Sequence, residues 1–293
     1  MQVKKYYFLM LAAVLMLCSC SSDKGETDDT QLLVPVTVRA NDFSVSQDDF
    51  NTTRATPVAG YANVKTLTLA FYDGDGNEAY KTTQLRDDTS TYTTFGTFSL
   101  ALPLGSYTMV VLGNAGDQQV TLTGPASATW GDNKANDTFG ASQAVNITTY
   151  DAVNLSATLN RMVTMVAVNS TDICPATVAN IRMRTSSGGK TFNPVTGFAT
   201  VNTGVVSSVS SANYVGSISR TGMYLFITAD EQTTDVTIET LDANDQVLFS
   251  KTVTGVTLKR NRRTVFTGAM YTASSAATFA IESDWLSDYP MDF

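Results

Sequence analysis

The sequence predicts an all-β protein of antiparallel β-sandwiches of Greek-key type. Threonine, serine, valine, alanine and asparagine are abundant, whereas long stretches with a helical period are missing. Apolar and polar residues instead alternate over short runs that are separated by turn residues. Strands do not alternate with helical patterns, so a parallel α/β sheet is not expected.

The first nineteen residues have the layout of a secretory signal. Two lysines precede an apolar run of about a dozen residues, which is well short of the ~20 that span a bilayer as a helix. Cys20 follows Ser19 directly after this run, in the pattern of a bacterial lipoprotein. We predict a signal peptide over 1–19, cleavage between Ser19 and Cys20, and lipidation of Cys20. An ordinary signal peptide and an uncleaved anchor are the alternatives.

Residues 20–30 are small, polar and acidic, and we interpret them as a flexible tether. The net charge is −8, and loss of two lysines with the signal makes it −10. So acidic a protein is not expected to bind nucleic acid through its fold, and its membrane attachment should come from the lipid. The remaining length, more than one typical sandwich, suits two domains. We place them at 31–158 and 159–293.

The counts of cysteine and histidine exclude several classes of function. Of three cysteines, Cys18 leaves with the signal and Cys20 is lipidated, so Cys174 has no disulfide partner within the chain. The chain contains no histidine, which excludes Ser-His-Asp and Cys-His catalysis and every histidine metal site. An enzyme would have to use carboxylates or a Ser-Lys pair, and the sequence has no motif for either, so we predict no catalytic residue, no metal site and no cofactor.

Two polar runs have more than one interpretation. The run Asp73–Asn77 predicts a hairpin turn. A calcium loop is the alternative, but its twelfth position would be Gln84 instead of a glutamate. The basic run Lys259–Arg263 is either a solvated hairpin end or a local docking patch.

The first predicted strand runs from Leu32 to Ala40. Its apolar face consists of Leu32, Val34, Val36 and Val38. Because Pro35 lacks a backbone N–H, we expect this strand at the edge of its sheet. Arg54 follows a polar stretch and precedes Ala55, so we expect it in an exposed, extended loop that a protease can enter; an ordinary loop arginine is the alternative.

Further along the chain, Leu67, Leu69 and Phe71 alternate with Thr66, Thr68 and Ala70 in a strand. Residues 114–145 are rich in glycine, asparagine, aspartate, serine and threonine, and we expect long loops with a short helix there.

The order of several segments resembles the type V pilins, or fimbrillins, a family of surface lipoproteins of Bacteroidales-type anaerobes. The lipobox, the acidic tether and the loop Thr53-Arg54-Ala55 come first. The later segments are Val64-Lys-Thr-Leu-Thr-Leu-Ala-Phe-Tyr-Asp-Gly-Asp-Gly76, Leu102-Pro-Leu-Gly-Ser-Tyr-Thr-Met-Val-Val111, Leu159-Asn-Arg-Met-Val-Thr-Met-Val-Ala-Val168 and Lys259-Arg-Asn-Arg-Arg-Thr-Val-Phe-Thr-Gly268. The resemblance covers nearly the whole mature chain.

This resemblance implies two transthyretin-like β-sandwich domains and a mode of assembly. The subunit would reach the outer membrane as a surface lipoprotein, and an arginine-specific protease would cut between Arg54 and Ala55. Loss of the first strand would open a groove that a strand of another subunit fills. The segment 276–285, with Phe279 and Ile281, is the expected donor.

The expected partners are other fimbrial subunits, in a homopolymer or heteropolymer, and the outer membrane through the lipid on Cys20. A host surface ligand is a further candidate. The alternatives are a lipid-retained anchor or accessory subunit, and a non-polymerising surface lipoprotein that binds glycan or host protein. A surface hydrolase is the weakest hypothesis, because it would need a pair of carboxylates in a cleft.

Overall fold

A computed structural model describes residues 32–46, 53–57, 63–115, 118–272 and 279–285. The predictions for the signal peptide, the tether, Ser19 and Cys20 lie outside these ranges. Within them the chain forms strands, turns and one short 3-10 helix at Ala212–Tyr214, so the all-β prediction is confirmed. In the same ranges no helix is long and apolar enough to cross a membrane.

Nineteen strands are described. Ten come from the first part of the chain: β1 Val34–Ser46, β2 Thr53–Pro57, β3 Val64–Tyr72, β4 Glu78–Leu85, β5 Thr97–Leu102, β6 Gly105–Ala115, β7 Thr121–Gly124, β8 Ser127–Thr129, β9 Thr138–Ile147 and β10 Val153–Arg161. Nine follow: β11 Thr164–Ser170, β12 Asn180–Thr185, β13 Thr191–Phe192, β14 Val206–Ser210, β15 Arg220–Leu225, β16 Glu231–Leu241, β17 Val247–Lys259, β18 Arg262–Gly268 and β19 Ala280–Trp285.

Eight of the ten strands of the first part, all except β7 and β8, form one sheet that bends back on itself. Its order is β2-β1-β10-β9-β6-β3-β4, and β5 also pairs with β1. The bend lies between β9 and β10, where only two residue pairs, Gly140 with Asn160 and Phe139 with Arg161, are in register. The strands β1, β5 and β10 thus face β9, β6 and β3 across an apolar core that includes Val36, Leu69 and Phe71.

In the second part, β13 joins β8 and β7 in a three-stranded sheet, and the other strands form two four-stranded sheets with the orders β15-β11-β18-β19 and β14-β12-β16-β17. Their inner faces share a core that includes Val168, Ile181, Leu225, Ile238 and Phe266. This pairing of sheets over a common core is the architecture of a β-sandwich. The more specific assignment as transthyretin-like Greek-key domains stays a prediction.

A third apolar cluster joins strands from both parts of the chain. Tyr72 from β3 and Trp130 from the segment after β8 pack with Met162 and with the stacked rings of Phe192 and Phe226, whose centroids are 3.9 Å apart. Residues from Leu32 onward form one compact unit. The predicted division between 158 and 159 falls inside β10, and it stays a prediction.

Residues 114–145 do not have the predicted structure of long loops with a short helix. The segment contains β7, β8 and most of β9. Gly140 in β9 leaves no room for a side chain beside Met162 and Leu112, so close packing in a sheet requires this glycine.

The prediction that the first strand lies at an edge is wrong. β1 pairs in parallel with β10 from Val36 onward, and its other side pairs with β5 and then with β2. Pro35 is tolerated because the β10 register starts only at the next residue, so the missing N–H costs no bond in that ladder. Leu32 precedes the strand and is 65% exposed, so it does not share the buried face.

Candidate functional site

The strongest candidate site is the slot that β1 occupies. Val34, Val36 and Val38 are almost completely buried, while Pro35 between them and Arg39 after them are exposed. Burial of one valine side chain contributes about 1.5–3 kcal/mol. The strand is therefore held by a row of apolar anchors as well as by the backbone ladders on both sides.

The two walls of the slot are β10 and β5. Val36 lies opposite Val153 of β10 and opposite Leu100 of β5. Two residues further on, Val38 lies opposite Leu155 and Phe98 in the same way. Without β1, both walls would present unpaired N–H and C=O groups along an apolar floor.

Gln84 of β4 fixes the position of the β5 wall. Its amide Nε2 donates to the carbonyl of Thr97 at 2.7 Å, and its Oε1 accepts the N–H of Gly96 at 2.8 Å. The carbonyl of Gly96 in turn accepts the N–H of Ala40 at 2.8 Å. One buried side chain thus links β4, the start of β5 and β1. Sequence reasoning did not assign it this role, because its two partners are backbone groups of no particular residue type.

The structure places Arg54 in the strand β2, with an extended backbone as predicted, instead of in the predicted loop. Arg54 lies opposite Val45 and Ala55 lies opposite Ser44, in the antiparallel ladder between β2 and β1. β2 is the last strand at this end of the described sheet order, so its backbone is paired on one side. A protease that binds an extended backbone must therefore first separate β2 from β1.

The predicted donor strand is docked on its own chain. β19 pairs antiparallel with β18. Just before it, Phe279 makes edge contacts with Phe249 and Phe266, at centroid distances of 6.5 and 6.2 Å, whereas Ile281 is 46% exposed. In the described part of the sheets β19 is not a neighbour of β1.

Asp172 fixes the chain that leads to this strand. Its carboxylate accepts the backbone N–H groups of Met270, Tyr271 and Thr272, each at 2.8 Å, and the hydroxyl of Thr272 at 3.1 Å. Partial burial raises the pKa of Asp172, but these four hydrogen bonds outweigh it, so the pKa lies below its ordinary value. Nothing in the local sequence distinguished this aspartate from a surface residue.

The hairpin predicted at Asp73–Asn77 is confirmed, since it connects β3 to β4. The carboxylate of Asp73 accepts the N–H groups of Asn77 and Asp75 at 2.8 and 3.0 Å, and the Asn77 bonds lower its pKa. The carboxylate oxygens of Asp73 are therefore hydrogen-bonded within the turn. Within the described ranges, no group of three or more histidine, cysteine, aspartate or glutamate side chains is arranged to hold a metal ion.

Known structures share this fold. A candidate adhesin from Bacteroides ovatus aligns with a TM-score of 0.51 at 12% identity, covering 90% of this chain and 98% of that one. A second candidate adhesin from the same species gives 0.50 at 12%, covering 82% and 88%. The fimbrial anchor protein Mfa2 from Porphyromonas gingivalis gives 0.46 at 12%, covering 86% and 97%.

At such low sequence identity, these structural alignments establish the fold and do not establish a function. Comparison with curated proteins gives no significant match. The model of DUF6562, a family of unknown function, matches residues 31–291.

Proposed function

We propose that this chain, which belongs to the DUF6562 family, is a structural subunit of a cell-surface fimbria. It is exported to the outer membrane as a lipoprotein through Cys20 and assembles by strand exchange after cleavage behind Arg54. The observation that carries the proposal is the position of β1, a strand near the chain's start that fills a slot between β5 and β10. The adhesin descriptions of the two Bacteroides ovatus structures support a role at the cell surface.

The cut would remove the covalent link between β1 and the rest of the fold. After it, β1 is held by its ladders to β10 and β5, by the part of β2 that follows the cut, and by its buried valines. A strand from a neighbouring subunit can make the same ladders, and it needs apolar side chains at every second position to fill the same floor. Exchange then replaces one set of contacts with an equivalent set, so the free-energy cost is small while the joint between subunits is strong.

The proposed donor includes Phe279 and Ile281. Because β19 is an edge strand of its own sheet, leaving β18 exposes one ladder and the small pocket of Phe279. The half-exposed Ile281 loses little on leaving. The donor is thus held less firmly in its own chain than β1 is held in the slot.

Digestion of the purified lipoprotein with an arginine-specific protease tests this assembly. We expect a product whose sequence starts at Ala55 and a ladder of polymers on gels. Arg54→Lys keeps the positive charge but removes the cleavage site, so it should give no ladder. Arg39→Lys is the matched control and should polymerise like the natural protein. Polymers that retain residues 32–40 in covalent linkage would contradict strand exchange.

One observation favours the lipid-retained anchor or accessory subunit as the second candidate. Arg54 is paired in β2, and such a backbone resists cleavage until it separates. The N-terminus of the protein recovered from cell surfaces distinguishes the two functions. Lipidated Cys20 at the N-terminus of fibre-associated protein indicates the anchor, and Ala55 indicates the polymerising subunit.

A further inference from the structure

The strands β9 and β10 are joined by a short turn, yet they separate at the turn end. They pair only at Phe139–Gly140 with Asn160–Arg161, far from the connecting residues 148–152. Hairpins ordinarily pair outward from their turn. Here the two strands belong to opposite layers, so β9 pairs with β6 and β10 pairs with β1. Among the residues described, no strand pairs with the facing edges over 142–147 and 153–158.

A cleft of about 530 Å³ lies in this opening. Along its sides are polar residues such as Gln143 and Thr158, and its lining also includes the apolar Met109 and Ala157. Two unpaired strand edges beside a partly apolar surface suit an extended peptide, which can use their N–H and C=O groups.

The turn between β17 and β18 lines one end of the cleft through Arg260 and Asn261. Strand β19 ends beside the same turn, because Trp285 is in register with Arg262. The eight residues 286–293 therefore start next to the cleft. Fully extended they reach about 26–29 Å, whereas six strand residues such as 142–147 span about 20 Å. The segment is long enough to follow either edge.

The sequence of this segment has the alternation of a strand. Tyr289, Met291 and Phe293 are apolar, Asp292 lies between the last two of them, and Asp288 precedes the first. Pro290 lacks an N–H, which suits pairing along one edge rather than along both. The family model also continues to residue 291, six residues beyond β19.

The charges of the segment and of the turn are opposite. The segment contains two aspartates and no basic residue, whereas the turn lies within the basic run. Arg260 pairs with Asp230 at 2.6 Å, but Asp230 is 73% exposed, and such surface pairs contribute little. An incoming carboxylate can therefore share this guanidinium at small cost.

We propose that residues 286–293 dock as a strand in the cleft between β9 and β10 of their own chain. The apolar side chains of Tyr289, Met291 and Phe293 then face the apolar part of the cleft, and the aspartates lie toward Arg260. This docking uses neither β1 nor Arg54 and belongs to the uncleaved subunit, so its test is separate from that of the proposed function; a β19 that leaves as a donor would take residues 286–293 with it.

Hydrogen–deuterium exchange on the mature lipoprotein in detergent tests the docking. We compare it with a variant that ends at Trp285 and with the triple variant Tyr289→Asp, Met291→Asp, Phe293→Asp. Pro290→Asp is the matched control, because it also adds a negative charge but on the face of the proposed strand opposite to the apolar side chains. Amides of β16 report whether each variant still folds.

We expect the amides of one facing edge, either 142–147 or 153–158, to be protected by the docked segment. They should exchange at least about tenfold more slowly in the natural protein and in Pro290→Asp than in the truncated and triple variants. This protection should not change on hundredfold dilution. Equal exchange with and without the segment would overturn the proposal. Protection that disappears on dilution would also overturn it, because the segment would then come from a second copy.

Discussion

Arg161 and Asp137 form a bidentate ion pair in the interior of the protein. Nε of Arg161 donates to Oδ1 at 2.8 Å and Nη2 donates to Oδ2 at 2.9 Å, while the two side chains are 2% and 8% exposed. The guanidinium also lies 4.6 Å from the ring centroid of Phe139. The pair thus ties the end of β10 to the segment that leads into β9, at the one point where these strands meet.

Asp137→Ala should lower the free energy of unfolding by about 3–5 kcal/mol, because it leaves a buried guanidinium without its carboxylate. Urea denaturation measures this change. Glu78→Ala, which breaks the exposed pair with Lys81, is the control and should cost less than about 1 kcal/mol. The double variant Asp137→Leu, Arg161→Met should be more stable than Asp137→Ala. A cost for Asp137→Ala no larger than the control's would show that the pair does not hold the bend.

Gln84→Ala should destabilise the protein by about 1–3 kcal/mol, since the buried N–H of Gly96 and the carbonyl of Thr97 lose their partner. Thermal denaturation followed by circular dichroism checks the effect. Gln119→Ala replaces an exposed glutamine and should leave the melting temperature unchanged. Equal melting temperatures for the two variants would show that the link between β4 and β5 does not contribute to stability.

Gly204 and Gly216 have nearly the same backbone conformation, with φ of +83° and +81°, but different surroundings. A Cβ at Gly216 meets nothing, so Gly216→Ala should cost only the strain of a positive φ, about 1–2 kcal/mol. A Cβ at Gly204 would collide with the backbone carbonyl of Thr185, and we expect Gly204→Ala to cost about 1–3 kcal/mol more. Chemical denaturation of both variants measures the difference, and equal costs would refute the close approach.

The lowered pKa of Asp172 predicts a contribution to stability that depends on pH. Because the folded state lowers this pKa, the contribution is present above the unfolded value of about 4 and is lost as the pH falls through the folded value. Asp172→Asn should lower the melting temperature at neutral pH, and its deficit relative to the natural protein should shrink below about pH 4. Melting curves between pH 2 and 7 test this. A deficit that stays constant over that range would exclude the titration of Asp172 as its cause.

In the strand β3, the local sequence pattern predicted one of the two buried faces. The alternation of Leu67, Leu69 and Phe71 correctly identified one buried face. The other face, which includes Thr66 and Thr68, is equally buried, and Ala70 on this face belongs to the third cluster, with Trp130 and Phe226. The residues that cover it come from distant parts of the chain, so no window along the sequence could reveal them.

The sequence by itself determined that the fold is all-β, because the alternation of apolar residues and the turn residues act over a few positions and can be recognised from the sequence directly. It determined the valine face of β1 and the Asp73 turn in the same way. Only the tertiary structure decided that β1 lies between β10 and β5, that Arg54 is paired in a strand, and that Gln84 and Asp172 each join separate segments of the chain. Each of these depends on hydrogen bonds between residues apart in the sequence, and backbone partners carry no residue-specific signal from which such a bond could be predicted.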